Sequence, residues 1–172
     1  TFDVTPSRTR YPNVPQIDAF YATLEWRLSA NPNVLSVGWS NLIPFTPKYY
    51  SEYFARDGYS DQLPDMPLAT LQLVSDRFIA TMGLPLLRGR TFTAADQDST
   101  PPVAVVNAAL AATHFPGQDV VGKRITMRGR SFEIVGVVGN KRHRAMTDPP
   151  MPELFVSRRQ LPRELGSWIS VR

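Results

Sequence analysis

Residues 102–140 read PVAVVNAALAATHFPGQDVVGKRITMRGRSFEIVGVVGN, and their pattern predicts a strand, a short helix and a β-hairpin in succession. The apolar run at the start ends at Asn107, a residue type that commonly caps the N-terminus of a helix. Two apolar, β-branched runs flank Arg128-Gly129-Arg130, which indicates a hairpin. Short strands and short helices mixed in this way are typical of an α+β fold.

The segment PGQDVVGKR, residues 116–124, connects this helix to the hairpin and nearly matches a phosphate-binding loop. Gly117, Gly122 and Lys123 have the spacing of G-x-x-x-x-G-K-[ST], but Arg124 replaces the hydroxyl that holds Mg²⁺. The motif also needs a strand before it and a helix after it, so that backbone N–H groups face the anion. The order here is helix, loop, strand. We therefore interpret the segment as a structural connection.

The rest of the chain contains further short elements of both kinds. Apolar residues at helical spacing predict one amphipathic helix with Asn13 as its N-cap: Ile17, Phe20, Tyr21, Leu24 and Leu28. A second short helix is expected in residues 75–83, with Ser75 as N-cap and Gly83 as a left-handed C-terminal cap. Strands are expected at TFDV (1–4), VLSVGW (34–39), LATLQLV (68–74), ELFVS (153–157) and SWISV (167–171).

Composition excludes several classes of protein. The chain has 172 residues and no cysteine, which rules out disulfides, thiolate metal sites and cysteine nucleophiles. The longest uncharged run, between Arg27 and Lys48, contains three prolines and is not a membrane helix. Residues 1–122 carry 8 basic and 11 acidic side chains, and residues 123–172 carry 11 basic and 4 acidic ones. No nucleic-acid-binding motif accompanies the basic half, so we expect no nucleic-acid partner.

No catalytic or metal-binding pattern is present. His114 and His143 are far apart in sequence, and neither has a carboxylate at ligand spacing. The chain lacks a nucleophile elbow and the glycine spacing of a dinucleotide-binding loop. The sequence therefore predicts no catalytic residue, no metal site, no cofactor and no enzyme activity.

Two segments are candidates for contact with a partner. The first is the basic run of residues 140–146, NKRHRAM, and the second is the proline- and aromatic-rich stretch that follows Phe45. The candidate contact residues are Lys141, Arg142, His143, Arg144, Tyr49, Tyr50 and Phe54. For the basic run the alternative is a solvated loop, and for the aromatic stretch it is a loop pinned to the core by its rings.

The order of several phrases resembles a known family. TMGLPLLRGRTF is followed by VAVVN, then by FPG-x-D-x-x-GKRI, and then by VGVVG-x-x-RH. As an ordered set these phrases are similar to the MacB-type periplasmic core domain of ABC-transporter permeases in the MacB/FtsX-like class. The resemblance covers nearly the whole chain, except for residues 46–67. At two positions where relatives often carry an acidic residue, this chain has Ala108 and Asn140.

The resemblance implies a domain organisation. It implies an α+β fold with short mixed-sheet elements in two small subdomains, a β-α-β unit and a mixed lobe. Residues 1–45 would form the β-α-β unit, residues 46–67 a connecting segment, residues 68–166 the mixed lobe, and residues 167–172 a strand returning to the first unit. Because the family pattern continues past the SWISVR ending, we expect that a completing segment of the first subdomain follows residue 172.

The resemblance also implies a function and partners. Such a domain is non-catalytic, lies on the periplasmic side of the inner membrane, and is soluble as a fragment. It couples motion of the permease's own transmembrane helices, driven by a separate cytoplasmic ATPase subunit or domain, to substrate or partner handling, usually in a permease dimer. Two alternatives remain. One is a soluble extracytoplasmic binding module for a lipid, peptide or small hydrophobic ligand, and the other is a phosphate- or nucleic-acid-binding protein.

Overall fold

The computed structural model describes residues 1–42, 50–59, 62, 65–141, 147–161 and 167–172. The strands in this part of the chain are β1 (Phe2–Val4), β2 (Val37–Ser40), β3 (Ser51–Tyr53), β4 (Ala55–Arg56), β5 (Leu68–Val74), β6 (Leu86–Gly89), β7 (Val103–Asn107), β8 (Arg124–Met127), β9 (Arg130–Val138), β10 (Glu153–Ser157) and β11 (Ser167–Val171). The helices are α1 (Val14–Ser29), α2 (Phe78–Thr81) and α3 (Ala108–His114). The α+β prediction is confirmed. None of the described helices is both long and apolar enough to cross a bilayer.

The described strands form one open mixed sheet. Its order is β1-β11-β2-β5-β10-β7-β9-β8-β4, with β3 paired to β5 and β6 paired to β9. The β5–β10 and β7–β9 pairs are parallel, and the other pairs are antiparallel.

The strands of the two predicted subdomains meet where β2 lies beside β5. That junction contains one residue pair, Ser40 with Val74, and hydrogen bonds on either side of it. Among them, the Asn41 N–H donates to the Leu73 carbonyl at 3.1 Å and the Ser75 N–H donates to the Trp39 carbonyl at 2.9 Å. The division into subdomains stays a prediction.

Three apolar clusters make up the core. One face of the central strands packs around α3 and includes Phe54, Phe115 and Phe132. The opposite face packs around α2 and includes Phe78 and Phe92. The third cluster lies between α1 and strands β2 and β11, and its buried members are Ile17, Tyr21, Val37, Trp39 and Ile169. We call the unit formed by α1, β1, β2 and β11 the α1 layer.

Glycine at position 38 allows the α1 layer to contact α2 closely. A Cβ atom at Gly38 in β2 would lie 2.6 Å from the Cα atom of Phe78, the first residue of α2. Because no real Cβ contact is that short, any larger residue would push α2 away from the sheet.

The connection over residues 116–124 is structural, as the sequence predicts. Gly117 and Gly122 have φ angles of 71° and 86°, values that favour glycine. The Gly122 N–H donates to the Ile134 carbonyl at 2.8 Å, and the Lys123 N–H donates to Val120 at 3.1 Å. These amides are therefore already bonded within the chain and do not face a phosphate.

The predicted helix caps are correct with one exception. The side chains of Asn13 and Asn107 accept backbone N–H groups at the starts of α1 and α3. The Ser75 prediction is wrong, because α2 begins three residues later and its N-cap residue, Arg77, makes no side-chain capping bond. The Ser75 hydroxyl instead accepts the Trp39 N–H at 3.1 Å and so ties β2 to the turn after β5.

Candidate functional site

Most of the candidate contact residues in the two predicted segments fall outside the part of the chain that the structure describes. These are Tyr49, Arg142, His143 and Arg144. Tyr50, Phe54 and Lys141 are described, and each of them has partners within the fold.

The two described aromatic candidates are held by the protein itself. Phe54 is fully buried, and its ring meets His114 edge-on with 5.4 Å between centroids. The Tyr50 carbonyl accepts the Leu71 N–H at 2.7 Å, and its hydroxyl accepts a hydrogen bond from Arg128. Phe54 therefore has no surface that a partner can touch in this conformation. These contacts favour the alternative of a loop pinned to the core by its rings.

Lys141 belongs to a buried polar network at one end of the sheet. Its Nζ atom lies 3.3 Å from Oε1 of Glu153, and both side chains are almost completely buried. Glu153 Oε1 also accepts a hydrogen bond from Gln72 at 2.5 Å, and the Ser40 hydroxyl donates to Gln72 at 3.1 Å. Asn107 joins the network by accepting the Glu153 N–H at 3.0 Å.

Burial in this network disfavours the charged form of the Lys141 ammonium group. It lowers the pKa of Lys141, and the neighbouring carboxylate of Glu153 opposes that shift. The Nζ atom also lies 5.3 Å from the centre of the Phe78 ring, which compensates part of the lost hydration. The network links residues from β2, β5, β7 and β10 to the chain after β9. It fixes the position of Lys141 in the fold.

A cleft lies between α1 and the turns after β5 and β10. Its volume is about 490 Å³, and Trp39 and Val74 form part of its lining. One face of α1 forms a wall, because residues at helical spacing point into the cleft: Asp18, Ala22, Glu25, Trp26 and Ser29. The opposite wall carries Asp76, Arg77, Ala94, Arg158 and Arg159.

Arg158 bridges the two walls. Its Nε atom lies 2.8 Å from Oδ1 of Asp18 on α1, and only 3% of the arginine side chain is exposed. The guanidinium lies over the rings of Tyr21 and Trp39, at 5.5 and 5.4 Å from their centres. An arginine from the turn after β10 therefore fills an aromatic slot of the α1 layer. We call this contact the Arg158 clasp.

The carboxylates of the cleft are partly dehydrated. Burial raises the pKa values of Asp18, Glu25 and Asp76, while nearby arginines act in the opposite direction. Arg158 opposes the shift at Asp18, and Arg159 lies 3.4 Å from Asp76. The lining thus contains three carboxylates and three guanidinium groups. This balance suits an ionic contact that holds two parts of the fold together.

Sequence reasoning did not find this cleft. Asp18 and Arg158 are far apart in the chain, and no local motif joins them. The polar stripe of α1 beside its apolar stripe was the available signal, but such a stripe usually faces solvent. Among the residues that the structure describes, no group of acidic or histidine side chains is arranged to hold a metal ion.

Comparisons with known proteins give a consistent result. The family model described as the MacB-like periplasmic core domain matches residues 4–172. The fold is similar to the periplasmic region of MacB from Actinobacillus actinomycetemcomitans, with a TM-score of 0.61 and 20% identity, over 88% of this chain and 63% of that one. It is also similar to the extracellular domain of YknZ, a noncanonic ABC-type transporter from Gram-positive bacteria, with a TM-score of 0.56 and 16% identity, over 85% of this chain and 68% of that one. No curated protein is significantly similar in sequence.

Proposed function

The chain belongs to the family of MacB-like periplasmic core domains, and from this we propose that it is a non-catalytic extracytoplasmic domain of an ABC-transporter permease. The match over residues 4–172 is the observation that carries the proposal. In this role its partners are the transmembrane helices of the same permease, a cytoplasmic ATPase subunit or domain, and a second permease copy. Its place is the periplasmic side of the inner membrane, and its task is to couple helix motion to substrate or partner handling.

The junction between the α1 layer and the rest of the fold supports a coupling role. Among the described residues, the contacts that join the two parts include the Ser40–Val74 strand pair with the hydrogen bonds beside it, the packing of α2 on Gly38, and the Arg158 clasp. Relative motion of the two parts would therefore have to open or shear the cleft beside α1. We place the coupling step at the clasp.

A cleavable cross-link across the cleft tests this role. The 172-residue chain has no cysteine. Once any cysteines in the rest of the permease and in the ATPase have been replaced, cysteines at Asp18 and Arg158 can be joined selectively by a short, cleavable bis-maleimide. The measurement is transport by the full permease with its ATPase in proteoliposomes. We expect the cross-link to reduce transport and its cleavage to restore transport relative to the same variant left unlinked.

The matched control joins Arg88 to Asp119, another aspartate–arginine pair, 3.1 Å apart and exposed on both sides. Cross-linking this pair leaves the cleft free, so transport should not change. Full transport with the Asp18–Arg158 link in place would contradict the coupling proposal.

The binding-module alternative built on Tyr49, Tyr50 and Phe54 is not favoured. The ring of Phe54 is buried in the core, and the hydroxyl of Tyr50 is engaged by Arg128. A hydrophobic ligand would have to displace these contacts before it reached either ring.

A further inference from the structure

A second groove lies on the face of α1 that points away from the clasp. Its volume is about 530 Å³, and it runs between the helix and the turn that precedes it. The turn is closed by the Tyr11 N–H, which donates to the Ser7 carbonyl at 2.9 Å. The groove-lining residues used below are Arg10, Tyr11, Phe20, Leu24 and Arg27. We call it the α1 outer groove.

The groove combines an aromatic floor with positive charge. The rings of Tyr11 and Phe20 are 5.1 Å apart, and both are partly exposed. The Arg10 guanidinium lies 5.7 Å from the centre of the Tyr11 ring, which holds this charge beside the floor. Among the residues described, the groove lining includes two arginines and no carboxylate. An occupant with both apolar and anionic groups is complementary to it.

The arrangement along the helix gives the spacing of those groups. Phe20 and Arg27 are seven residues apart, which corresponds to roughly 10 Å along an α-helix. Arg10 lies at the Phe20 end, so the two guanidinium groups stand at opposite ends of the apolar floor. In an extended peptide every second side chain points to the same face, so two side chains four positions apart face the groove together with the one midway between them. These two positions lie roughly 13 Å apart along the backbone, and the long arginine side chains cover the small difference.

The charge of the surrounding layer favours a protein segment over a membrane surface. Residues 1–42 contain three arginines, Arg8, Arg10 and Arg27, and three carboxylates, Asp3, Asp18 and Glu25. The helix and its flanking strands therefore carry no net positive charge. Attachment to anionic lipid usually requires a cluster of several basic residues on one face. Two of the three arginines, Arg10 and Arg27, line the groove.

We propose that the α1 outer groove docks an extended segment of a partner protein that carries two acidic residues four positions apart with an apolar side chain midway between them. The apolar side chain lies on Phe20 and Leu24. The two carboxylates pair with Arg10 and Arg27, in the charge-assisted geometry that arginine forms with carboxylate. This docking role goes beyond the proposed coupling function and does not depend on transport.

The test measures binding of a fluorescein-labelled peptide to the 172-residue chain by fluorescence anisotropy. The probe has two glutamates four residues apart with a phenylalanine midway between them, and the control peptide has glutamines in place of the glutamates. We expect saturable binding of the probe only. Arg10→Glu and Arg27→Glu should each weaken it roughly tenfold or more, because each removes an attractive charge and adds a repulsive one.

Arg124→Glu is the matched control variant. Arg124 is exposed on β8, far along the sheet, and its substitution changes the net charge by the same amount. It should bind the probe as the unmodified chain does. Thermal unfolding of all three variants checks that each is folded.

Three results would overturn the docking proposal. One is the absence of saturable binding. Another is an equal loss in all three charge-reversal variants, which would show attraction to net charge alone. The last is binding of phosphatidylglycerol vesicles that depends on Arg10 and Arg27 while the peptide does not bind, which would make the groove a lipid site. Since no transporter is present, a failure here leaves the cross-linking test of coupling unaffected.

Discussion

At the scale of single residues, ion pairs of similar length contribute differently to the stability of the fold because they differ in burial. Asp96 is almost fully buried and accepts two hydrogen bonds from Arg90, at 2.8 and 3.0 Å, and one from the Thr93 N–H at 2.8 Å. Burial opposes its ionisation, but these hydrogen bonds outweigh burial and lower its pKa. Asp119 pairs with Arg88 at a similar distance, yet both side chains are more than half exposed. The first pair is expected to stabilise the fold, and the second is not.

Asp96→Asn should lower the free energy of unfolding by about 2 kcal/mol at neutral pH, because hydrogen bonds to a charged group are lost. Because the pKa of Asp96 is lowered in the folded protein, its ionised carboxylate stabilises the fold fully at pH values above 3.8, the ordinary pKa of aspartate. That contribution is lost as the pH falls through the folded-state pKa, so the difference between the two proteins should shrink there. Urea unfolding at several pH values measures it.

The control for this prediction is Asp119→Asn, for which we expect a change below about 0.5 kcal/mol at every pH. An Asp96→Asn effect that stays constant through the acid range would contradict the role given to its ionised form.

At the scale of secondary-structure elements, the caps show how much local sequence determines. Asn13 and Asn107 both begin helices by accepting an N–H group, as expected from their sequence context. Asn13 is exposed, and within the described part of the chain its side chain makes this one hydrogen bond. Asn107 is fully buried, and its amide also donates to the Met151 carbonyl at 2.8 Å and accepts the Glu153 N–H at 3.0 Å. It therefore joins a helix to a neighbouring strand.

Replacing each cap by alanine separates these two roles. Asn13→Ala should cost about 1 kcal/mol, the usual value of an N-cap. Asn107→Ala should cost at least about 3 kcal/mol, because it also leaves the Glu153 N–H of β10 and the Met151 carbonyl just before that strand without this partner. Urea unfolding of the two variants compares them directly. Equal losses would show that Asn107 acts only as a cap.

The elements that sequence predicts well are those governed by local chemistry. The hairpin between β8 and β9 turns at Arg128 and Gly129, with φ angles of 53° and 73°, and an x-Gly pair is typical of such turns. Ser75 has an equally good local signal for a cap. Its hydroxyl is used by Trp39 from a distant strand, and that tertiary contact overrides the local preference.

At the scale of the whole molecule, buried charge depends on contacts that sequence does not reveal. Lys141 reads as the first residue of a basic surface run, but its side chain turns inward to Glu153. These two residues are twelve positions apart in the sequence, and no local motif near either one predicts that they pair. The Arg158 clasp was missed for the same reason. Local pattern predicts the elements, whereas the candidate site arises from residues that only the assembled sheet brings together.

A double-mutant cycle tests the Lys141–Glu153 pair. Lys141→Met and Glu153→Gln should each cost about 3–5 kcal/mol, because each leaves a buried polar group without its partner. The double variant should cost clearly less than the sum of the two, since no unpaired charge remains. Urea unfolding of the four proteins gives the coupling energy. If the free-energy changes of the two single variants simply add in the double variant, the two charges do not interact. The exposed Arg88–Asp119 pair serves as a control cycle, because there the changes are expected to add.

The position of β11 determines the order in which the protein can assemble. This last strand lies between β1 and β2, the first two strands in the sequence, and supplies Ile169 to the cluster beneath α1. During synthesis or export, the amphipathic helix and its two early strands emerge long before their central strand. Contacts between such distant segments form slowly and leave apolar surface exposed in the meantime. We therefore expect the α1 layer, which carries both the clasp and the outer groove, to become native after the other described elements and to be the part that a folding helper would protect.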